Sequence, residues 1–188
     1  MVSAALTERG TAWEVAAAVP DPELPMLTLA DLGVLAEVAV DDGAVTAWLT
    51  PTYSGCPAVA EMAADVDRRL RAAGYRDVRV RLRLDPPWST DLITAEGRRK
   101  LVEAGIAPPR PTSAVGVAGP VPLALGPTRT AAPAGTSAAA FASAAAPVPC
   151  PRCGGADTEE LSRFGSTACK ALWRCRACRE PFERVKEI

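Results

Sequence analysis

The sequence predicts a small two-layer α/β domain followed by a separate metal-binding lobe. Hydrophobic residues alternate with period two in three segments and suit helices in three others, in the order α-β-β-α-β-α. A long stretch rich in alanine and proline follows, and two closely spaced cysteine pairs lie near the end of the chain. The 188 residues leave room for one domain of ordinary size and one small lobe.

The first half of the domain is predicted to be a helix followed by a β-hairpin. The helix covers residues 7–19, with Thr7 as a candidate N-cap and Pro20 ending it. Apolar residues alternate from Val34 to Val40 and again from Val45 to Leu49, with a glycine-containing turn between the two runs. That pattern is typical of two antiparallel strands joined by a tight turn.

The second half of the domain is predicted to be a helix, a strand and a final helix. Gly74 is expected to end the first of these helices, whose apolar residues at helical spacing are Val59, Met62, Val66 and Leu70. Strict alternation predicts a half-buried strand from Val78 to Leu84, and the last helix is expected from about Thr94 to Ala104. The other face of the strand carries Arg79, Arg81 and Arg83, a row that is either solvated or docks an acidic partner.

Composition divides the chain into three regions. Residues 7–106 form the α/β domain, residues 107–149 a flexible linker, and residues 150–188 the cysteine-containing lobe. The linker consists almost entirely of small residues and proline, with Arg110 and Arg129 as its charges. Such a segment cannot bury enough apolar surface to fold alone, so we expect a tether.

Charge and composition exclude several classes of function. The net charge is −1, and neither lobe is basic enough to predict binding to nucleic acid. The sequence contains no histidine, which excludes imidazole ligands and histidine-based catalysis. No apolar run reaches the roughly 20 residues that span a bilayer, and the N-terminus lacks the features of a secretory signal. We therefore expect a cytoplasmic protein with no membrane partner.

Two cysteine pairs form the most specific motif of the chain. Cys150 and Cys153 make one C-x2-C pair, Cys175 and Cys178 make another, and 21 residues separate the pairs. This spacing predicts a tetrahedral four-thiolate metal site on a small β-ribbon. All-sulfur ligands favour Zn²⁺ or iron over harder metals. A closed zinc site of this kind is structural by default, with an iron or iron–sulfur centre as the alternative.

Two further cysteines lie outside these pairs. Cys169 comes six residues before Cys175, so it is either an additional ligand or a small buried apolar residue. Cys56 lies between a strand and a helix, with Pro57 at the predicted first helical position. A helix N-terminus favours a thiolate, which would make Cys56 a reactive or metal-binding sulfur. The alternative is a buried thiol at a turn.

Carboxylates supply the remaining candidate site. Asp21 and Glu23 lie on a loop framed by prolines, where they either contact a cation or a partner or are simply solvated. The sequence contains no glycine-rich phosphate loop, paired-carboxylate hydrolase pattern or nucleophile elbow. It therefore gives no support for an enzyme.

These residues also carry a family resemblance. The first segments resemble the domain shared by iron–sulfur cluster assembly factors, and they are Asp21–Pro25, Asp31–Val34 and Thr50–Pro57. The full pattern is similar to one branch of that family, the D subunits encoded with bacterial phenylacetyl-CoA epoxidase (PaaD type). The segments that mark the branch are Pro86–Asp91, Gly105–Pro109 and Phe164–Leu172, running into Cys175–Phe182.

The resemblance implies a role in aerobic phenylacetate breakdown. In that pathway a multisubunit di-iron monooxygenase epoxidises the ring of phenylacetyl-CoA, and the D subunit is not thought to hold the active site. The resemblance implies a maturation factor that assists insertion of iron or an iron–sulfur cluster into a partner, for example the reductase subunit or the di-iron site. It also implies a functional Cys56, because the assembly domain has a functional cysteine at the matching place, and it places Cys169 inside the signature of the branch.

Two other classes of function remain open from the sequence. The chain could be a stoichiometric structural or regulatory subunit of the oxygenase complex, which copurification with active enzyme would reveal. It could also be a zinc-ribbon protein that binds nucleic acid, against which the weak charge of the ribbon argues.

Overall fold

The computed structural model describes residues 2–53, 55–111 and 148–187. It contains three α-helices, a short 3-10 helix at Thr90–Leu92 and seven strands in two sheets within these ranges. The elements of the first lobe are α1 (Val2–Ala17), β1 (Leu35–Asp41), β2 (Ala44–Leu49), α2 (Val59–Ala72), β3 (Asp77–Leu82) and α3 (Ala95–Glu103). Those of the second sheet are β4 (Ile106–Ala107), β5 (Thr158–Ser162), β6 (Lys170–Cys175) and β7 (Pro181–Val185).

The first lobe confirms the predicted order α-β-β-α-β-α. Strands β1 and β2 form the antiparallel hairpin, and its two turn residues, Asp42 and Gly43, both have positive φ. That conformation matches the natural twist of paired strands, and glycine adopts it readily. Strand β3 pairs with β2 in parallel, so α2 is the crossover between them. Helices α1 and α2 pack beside each other and against strands of this sheet, which makes the lobe two-layered.

Two boundaries of the first lobe differ from the predictions. Helix α1 begins at Val2, so Thr7 lies inside the helix and is not its N-cap. The residues before Thr7 include alanines and a leucine, which favour helix and extend it towards the N-terminus. The predicted half-buried strand is also shorter, because β3 ends at Leu82 and both Leu82 and Leu84 are more than half exposed. Strand β3 lies at the edge of its sheet, where cover from neighbouring elements is incomplete.

The third helix lies where it was predicted, and Thr94 is its N-cap. The Thr94 side chain accepts a hydrogen bond from the backbone N–H of Gly97, and the helix ends before Gly105, which has a φ of 77°. Gly97 itself packs so closely on the backbone of Asp31 that an added Cβ would lie 2.7 Å from the Asp31 carbonyl oxygen. The helix is therefore held tightly against the loop that follows Leu29.

The second sheet has the order β4-β7-β6-β5 and forms the ribbon lobe. Its strand β4 comes from Ile106 and Ala107, the point where the α/β domain was expected to give way to the linker. Residues 112–147 of the predicted linker lie outside the described residues. The proposed domain limits of 7–106, 107–149 and 150–188 therefore stay a prediction, with Ala107 paired to the ribbon in the structure.

The ribbon packs directly against the α/β domain. Val185 of β7 is 4% exposed and belongs to the same hydrophobic core as the helices and sheet of the first lobe. Arg98 of α3 donates a hydrogen bond to the carbonyl oxygen of Pro109, and Arg110 pairs with Glu187. In the described ranges, no helix is both long enough and apolar enough to cross a bilayer.

Candidate functional site

The four paired cysteines meet in one cluster at the end of the ribbon, which we call the cage. Cys150 and Cys153 lie on the turn before β5, while Cys175 ends β6 and Cys178 lies on the turn before β7. The first turn is closed by backbone hydrogen bonds from Cys150 to Gly155 and from Gly154 to Cys150. Gly154 has a φ of 72°, so the glycine after the first pair supplies the positive φ that a metal-binding turn of this kind needs.

The sulfur geometry of the cage fits a tetrahedral metal. All four Sγ atoms lie within 4.8 Å of one another. Cys150 Sγ is 3.8 Å from Cys178 Sγ, and Cys153 Sγ is 3.6 Å from Cys175 Sγ. Four sulfurs at about 2.3 Å from a zinc ion in tetrahedral geometry would be about 3.8 Å apart. The four thiols therefore have the spacing that Zn²⁺ requires.

The backbone of the second cysteine turn favours a thiolate at Cys175, whereas burial and the neighbouring cage sulfurs raise the pKa of the Cys178 thiol. Backbone N–H groups of Cys178 and Ala177 donate to the sulfur of Cys175 and lower the pKa of that thiol to about 7, although burial opposes this effect. Gly155 packs against the cage, since an added Cβ would lie 3.3 Å from Cys153 Sγ. Four-cysteine coordination of a metal would leave no open position for substrate.

Cys169 does not belong to the cage. Its side chain lines a second site, the interlobe cavity, whose polar wall is formed by Cys56, Cys169, Asp21, Glu23 and Thr52. Cys169 Sγ lies 3.1 Å from Thr167 Oγ1 and 3.9 Å from Glu23 Oε2. The structure thus brings together the two cysteines and the two carboxylates that the sequence left unplaced.

The interlobe cavity is small and largely enclosed by apolar side chains. Its volume is about 30 Å³, which suits a bound ion or a water molecule, whereas small-molecule sites are roughly 300–1,000 Å³. The apolar lining residues are Leu24, Leu32, Val34, Met62, Trp88, Ile93 and Val185. Val185 and Cys169 come from the ribbon and the remaining lining residues from the α/β domain.

The prediction that Pro57 is the first residue of the following helix is wrong. Helix α2 begins at Val59 and its N-cap residue is Ala58, so Cys56 belongs to the preceding turn, where its N–H donates to the carbonyl oxygen of Tyr53. Burial raises the pKa of the Cys56 thiol, and the nearby carboxyls of Glu23 and Asp21 raise it further. Its thiolate is therefore disfavoured unless a cation is close by.

The carboxylates of the cavity differ in burial. Asp21 is 8% exposed, and its Oδ1 accepts hydrogen bonds from the backbone N–H groups of Glu23 and Leu24, both at 2.8 Å. Burial nevertheless raises the pKa of Asp21 above its usual value, and it also raises the pKa of the Cys169 thiol. Glu23 is half-buried and faces Cys169. These groups form a cluster of acids in which negative charge is poorly solvated.

Sequence reasoning missed two residues, one that lines the cavity and one beside its ribbon cysteine. Trp88 is 5% exposed and donates from Nε1 to the carbonyl oxygen of Leu32 at 2.9 Å, which fixes its ring as a wall. Lys170 is buried next to Cys169, and its Nζ lies 2.9 Å from Glu183 Oε2. Both residues lie within the segments that mark the branch of the family, which is the one signal that could have found them.

The arginine row on β3 is partly neutralised within its own domain. Arg83 lies 2.8 Å from Glu37 and its guanidinium stacks over the Trp48 ring at 5.3 Å, while Arg79 pairs with Asp77. The row therefore lies on a polar outer face of the sheet, away from the cavity residues.

Each of the two lobes matches a known protein family. A family described as "Iron-sulfur cluster assembly protein" matches residues 12–82, and one described as "PaaD zinc beta ribbon domain" matches residues 134–186. A crystal structure of "Domain of Unknown Function DUF59" from Bacillus anthracis is 23% identical, with a TM-score of 0.50. It covers 54% of this chain and 97% of its own, and this likeness supports the fold of the first lobe.

Curated relatives cover more of the chain. A protein of Escherichia coli strain K12, named "Putative 1,2-phenylacetyl-CoA epoxidase" and designated its D subunit, is 39% identical over 176 residues, covering 94% of this chain and 91% of its own length. A protein of Porphyromonas gingivalis named "Fe-S protein maturation auxiliary factor" is 34% identical over 85 residues, which is 44% of this chain and 80% of that protein. Because the first likeness spans both lobes, the chain belongs to the family of phenylacetyl-CoA epoxidase D subunits, in which an iron–sulfur cluster assembly domain precedes a zinc ribbon.

Proposed function

We propose that this protein is a non-catalytic maturation factor for a phenylacetyl-CoA-epoxidising di-iron monooxygenase. It assists insertion of iron or an iron–sulfur cluster into a partner subunit, for which the iron–sulfur reductase is the leading candidate. The observation that carries the proposal is the position of Cys56, which shares a small cavity with a second thiol and two carboxylates. Such a group can hold a metal, but it has no room for an organic substrate.

Each of the two relatives supports a different part of this proposal. One is named as an epoxidase subunit and matches nearly the whole chain, while the other is named as a maturation factor and matches 44% of it. A maturation role attached to one oxygenase system accounts for both names. In this proposal the cage holds structural Zn²⁺, Cys56 handles the cargo, and the protein acts in the cytoplasm.

A strain that produces Cys56→Ser tests the proposal. Its epoxidase system is expected to contain less iron and less acid-labile sulfide in the partner subunits, with a proportional loss of ring-epoxidising activity. The matched control is Ala60→Ser, which adds a hydroxyl to an exposed position on the helix that follows Cys56 and leaves every thiol intact. Fully metallated, active epoxidase in the Cys56→Ser strain, with the variant present at normal level, would refute the role of Cys56.

A second function is favoured by the name of the relative that spans both lobes, which calls that protein a subunit. On that alternative the chain is a stoichiometric structural or regulatory component of the oxygenase. Copurification separates the two functions. A constant 1:1 ratio to the oxygenase in active enzyme supports the subunit role, whereas active enzyme without this chain supports maturation.

A further inference from the structure

We infer that the ribbon lobe completes the cargo site. Cys56 of the α/β domain and Cys169 of the ribbon together bind one divalent metal ion of borderline softness, such as Fe²⁺, with Glu23 as a carboxylate ligand. This inference rests on the proposed function, because it describes how the cargo of that function would be held. It assigns to the ribbon a role beyond the structural zinc site.

The first argument is convergence from distant parts of the chain. Cys56 lies in the turn before α2, and Cys169 lies in the turn before β6, yet both line the same cavity. Glu23 lies on the α/β side of the cavity and faces Cys169 Sγ at 3.9 Å. Neither lobe alone supplies both thiols, so the site exists only while the lobes are docked.

The second argument is that Cys169 is held in place by the fold of the ribbon. Its carbonyl oxygen accepts a hydrogen bond from the N–H of Lys186, and the Lys170 N–H donates to the carbonyl oxygen of Thr167, which closes the turn. The Thr167 hydroxyl contacts the sulfur directly at 3.1 Å. The ribbon therefore presents this thiol to the cavity as part of its own folded structure.

The third argument is the chemistry of the donors. Two sulfurs and a carboxylate select metals such as Fe²⁺, Co²⁺ and Zn²⁺ over Mg²⁺ and Ca²⁺, which prefer oxygen ligands alone. Lys170, a buried cation on the ribbon side, is paired with Glu183 at 2.9 Å, so its charge is largely compensated there. Each thiol that binds a metal ion releases one proton, which solvent accepts.

The fourth argument is that this group is looser than the cage. Among the described residues, the cage is the one set in which three or more candidate ligand atoms converge within metal-binding range. The cavity ligands do not converge in this way, so binding an ion would require their side chains to move. An incomplete, closable site suits a metal that must leave again, whereas a preformed four-thiolate cage retains its metal.

Cobalt binding to the zinc-loaded full-length protein tests the inference. The protein is purified anaerobically under reducing conditions, its zinc content is measured, and Co²⁺ is then titrated. We expect one Co²⁺ per chain in addition to the retained zinc, with sulfur-to-cobalt charge-transfer absorption. Cys56→Ser and Cys169→Ser should each weaken Co²⁺ affinity by about tenfold or more and reduce that absorption, whereas Glu23→Gln should weaken affinity but keep the absorption.

The matched control is Ala168→Ser, which places a hydroxyl at an exposed position beside Cys169 and keeps all the thiols. It should bind Co²⁺ like the wild type. Zinc content and far-ultraviolet circular dichroism are measured for every variant, so that a misfolded ribbon is not mistaken for a lost ligand. Unchanged zinc together with weakened Co²⁺ binding in Cys169→Ser supports the inference.

Two results would overturn the inference. In the first, the zinc-loaded wild type binds no additional Co²⁺. In the second, Cys169→Ser binds Co²⁺ as tightly as the wild type, whereas Cys56→Ser binds it more weakly. The second result would leave the proposed function standing with Cys56 alone. Conversely, Co²⁺ binding that needs both thiols, in a protein whose Cys56→Ser strain makes fully metallated epoxidase, would support the site and refute the role of Cys56 in the proposed function. The Co²⁺-binding experiment and the strain experiment can therefore refute the two proposals separately.

Discussion

The two sulfur-containing sites of this protein are built in different ways. The cage takes four thiols from two short turns of one lobe, and its paired sulfurs already lie 3.6 and 3.8 Å apart. The interlobe cavity takes one thiol from each lobe and adds two carboxylates from a loop. A site assembled from local turns can be closed and permanent, whereas one assembled between lobes can open. The comparison explains how one small chain could hold one metal and pass on another.

Removal of the cage metal is expected to have the largest effect. The apolar cluster of the ribbon is small, and two of its members, Cys150 and Cys175, are themselves cage ligands. Binding of structural zinc contributes on the order of 10 kcal/mol to the folding of small zinc domains. Cys175→Ser, or zinc removal by a chelator, should therefore unfold the ribbon. Circular dichroism, proteolysis and metal analysis would measure the loss.

The contrasting variants are Cys56→Ser and Cys169→Ser. Both thiols are half-buried and outside the cage, so each change should alter the free energy of unfolding by about 1 kcal/mol or less. Zinc content should stay at one ion per chain. A ribbon that unfolds in Cys169→Ser would contradict the separation of the two sites, because it would make that thiol structural.

Val185→Ala should weaken Co²⁺ binding at the cavity without releasing zinc from the cage. Val185 is 4% exposed, packs in the core of the α/β domain and lines the cavity. Truncation of a buried aliphatic side chain of this size costs about 2 kcal/mol. The lobes should dock less firmly, so we expect zinc to be retained and Co²⁺ binding at the cavity to fall. Leu161→Ala, at an exposed position on β5, is the control and should change neither.

The difference between local and long-range contacts also determines which features could be predicted from the sequence. The cage was predictable because its ligands follow a local spacing rule, and the hairpin and the second and third helices were predictable from periodicity and turn residues. Burial of the strand was not, because Leu82 lies at the exposed end of an edge strand and Leu84 lies beyond that end. Only the order of strands in the sheet, a tertiary feature, determines that exposure.

The cavity could be predicted only in part. Cys56, Cys169, Asp21 and Glu23 were each recognised as candidates, but their meeting depends on how the ribbon docks, and no local pattern encodes that contact. The pKa of the Cys56 thiol could not be predicted from its turn, because burial raises it and the nearby carboxyls of Glu23 and Asp21 raise it further. Burial and tertiary charge are not encoded by a local pattern.

Two variants, Asp31→Asn and Asp21→Asn, can distinguish a carboxylate that stabilises the fold from one that lines the cavity. Asp31 lies outside the cavity, where its Oδ2 accepts from the Thr28 N–H at 2.9 Å and from Lys100 Nζ at 2.8 Å. Burial alone would raise the pKa of Asp31, but these hydrogen bonds outweigh it and hold the pKa below 3.8. Asp31→Asn should therefore lower the free energy of unfolding at pH 7 by about 1–2 kcal/mol. That difference should disappear as pH falls through the lowered pKa.

Asp21→Asn should behave in the opposite way. Its pKa is raised above 3.8, so the ionised carboxylate disfavours the fold at pH 7, and that penalty vanishes as pH falls below 3.8. Asparagine keeps an oxygen that can accept from the Glu23 and Leu24 N–H groups. We expect equal or greater stability at pH 7, by up to about 1 kcal/mol, together with weaker Co²⁺ binding. Urea unfolding of wild type and both variants at each pH would measure the difference, and marked destabilisation by Asp21→Asn would make that carboxylate part of the scaffold.

A further predicted effect, of similarly small size, compares the two turns of the cage with each other. Gly154 and Arg179 each follow the second cysteine of a pair, and both have positive φ, at 72° and 65°. Left-handed backbone costs a non-glycine residue about 1 kcal/mol, which Gly154 avoids and Arg179 bears. Gly154→Ala should therefore destabilise by about 1 kcal/mol, although an added Cβ meets nothing within 4 Å. Arg179→Gly should be neutral or slightly stabilising, as thermal unfolding of the zinc-loaded protein would show. If Gly154→Ala were neutral, the zinc ion and not the backbone would determine the shape of the turn.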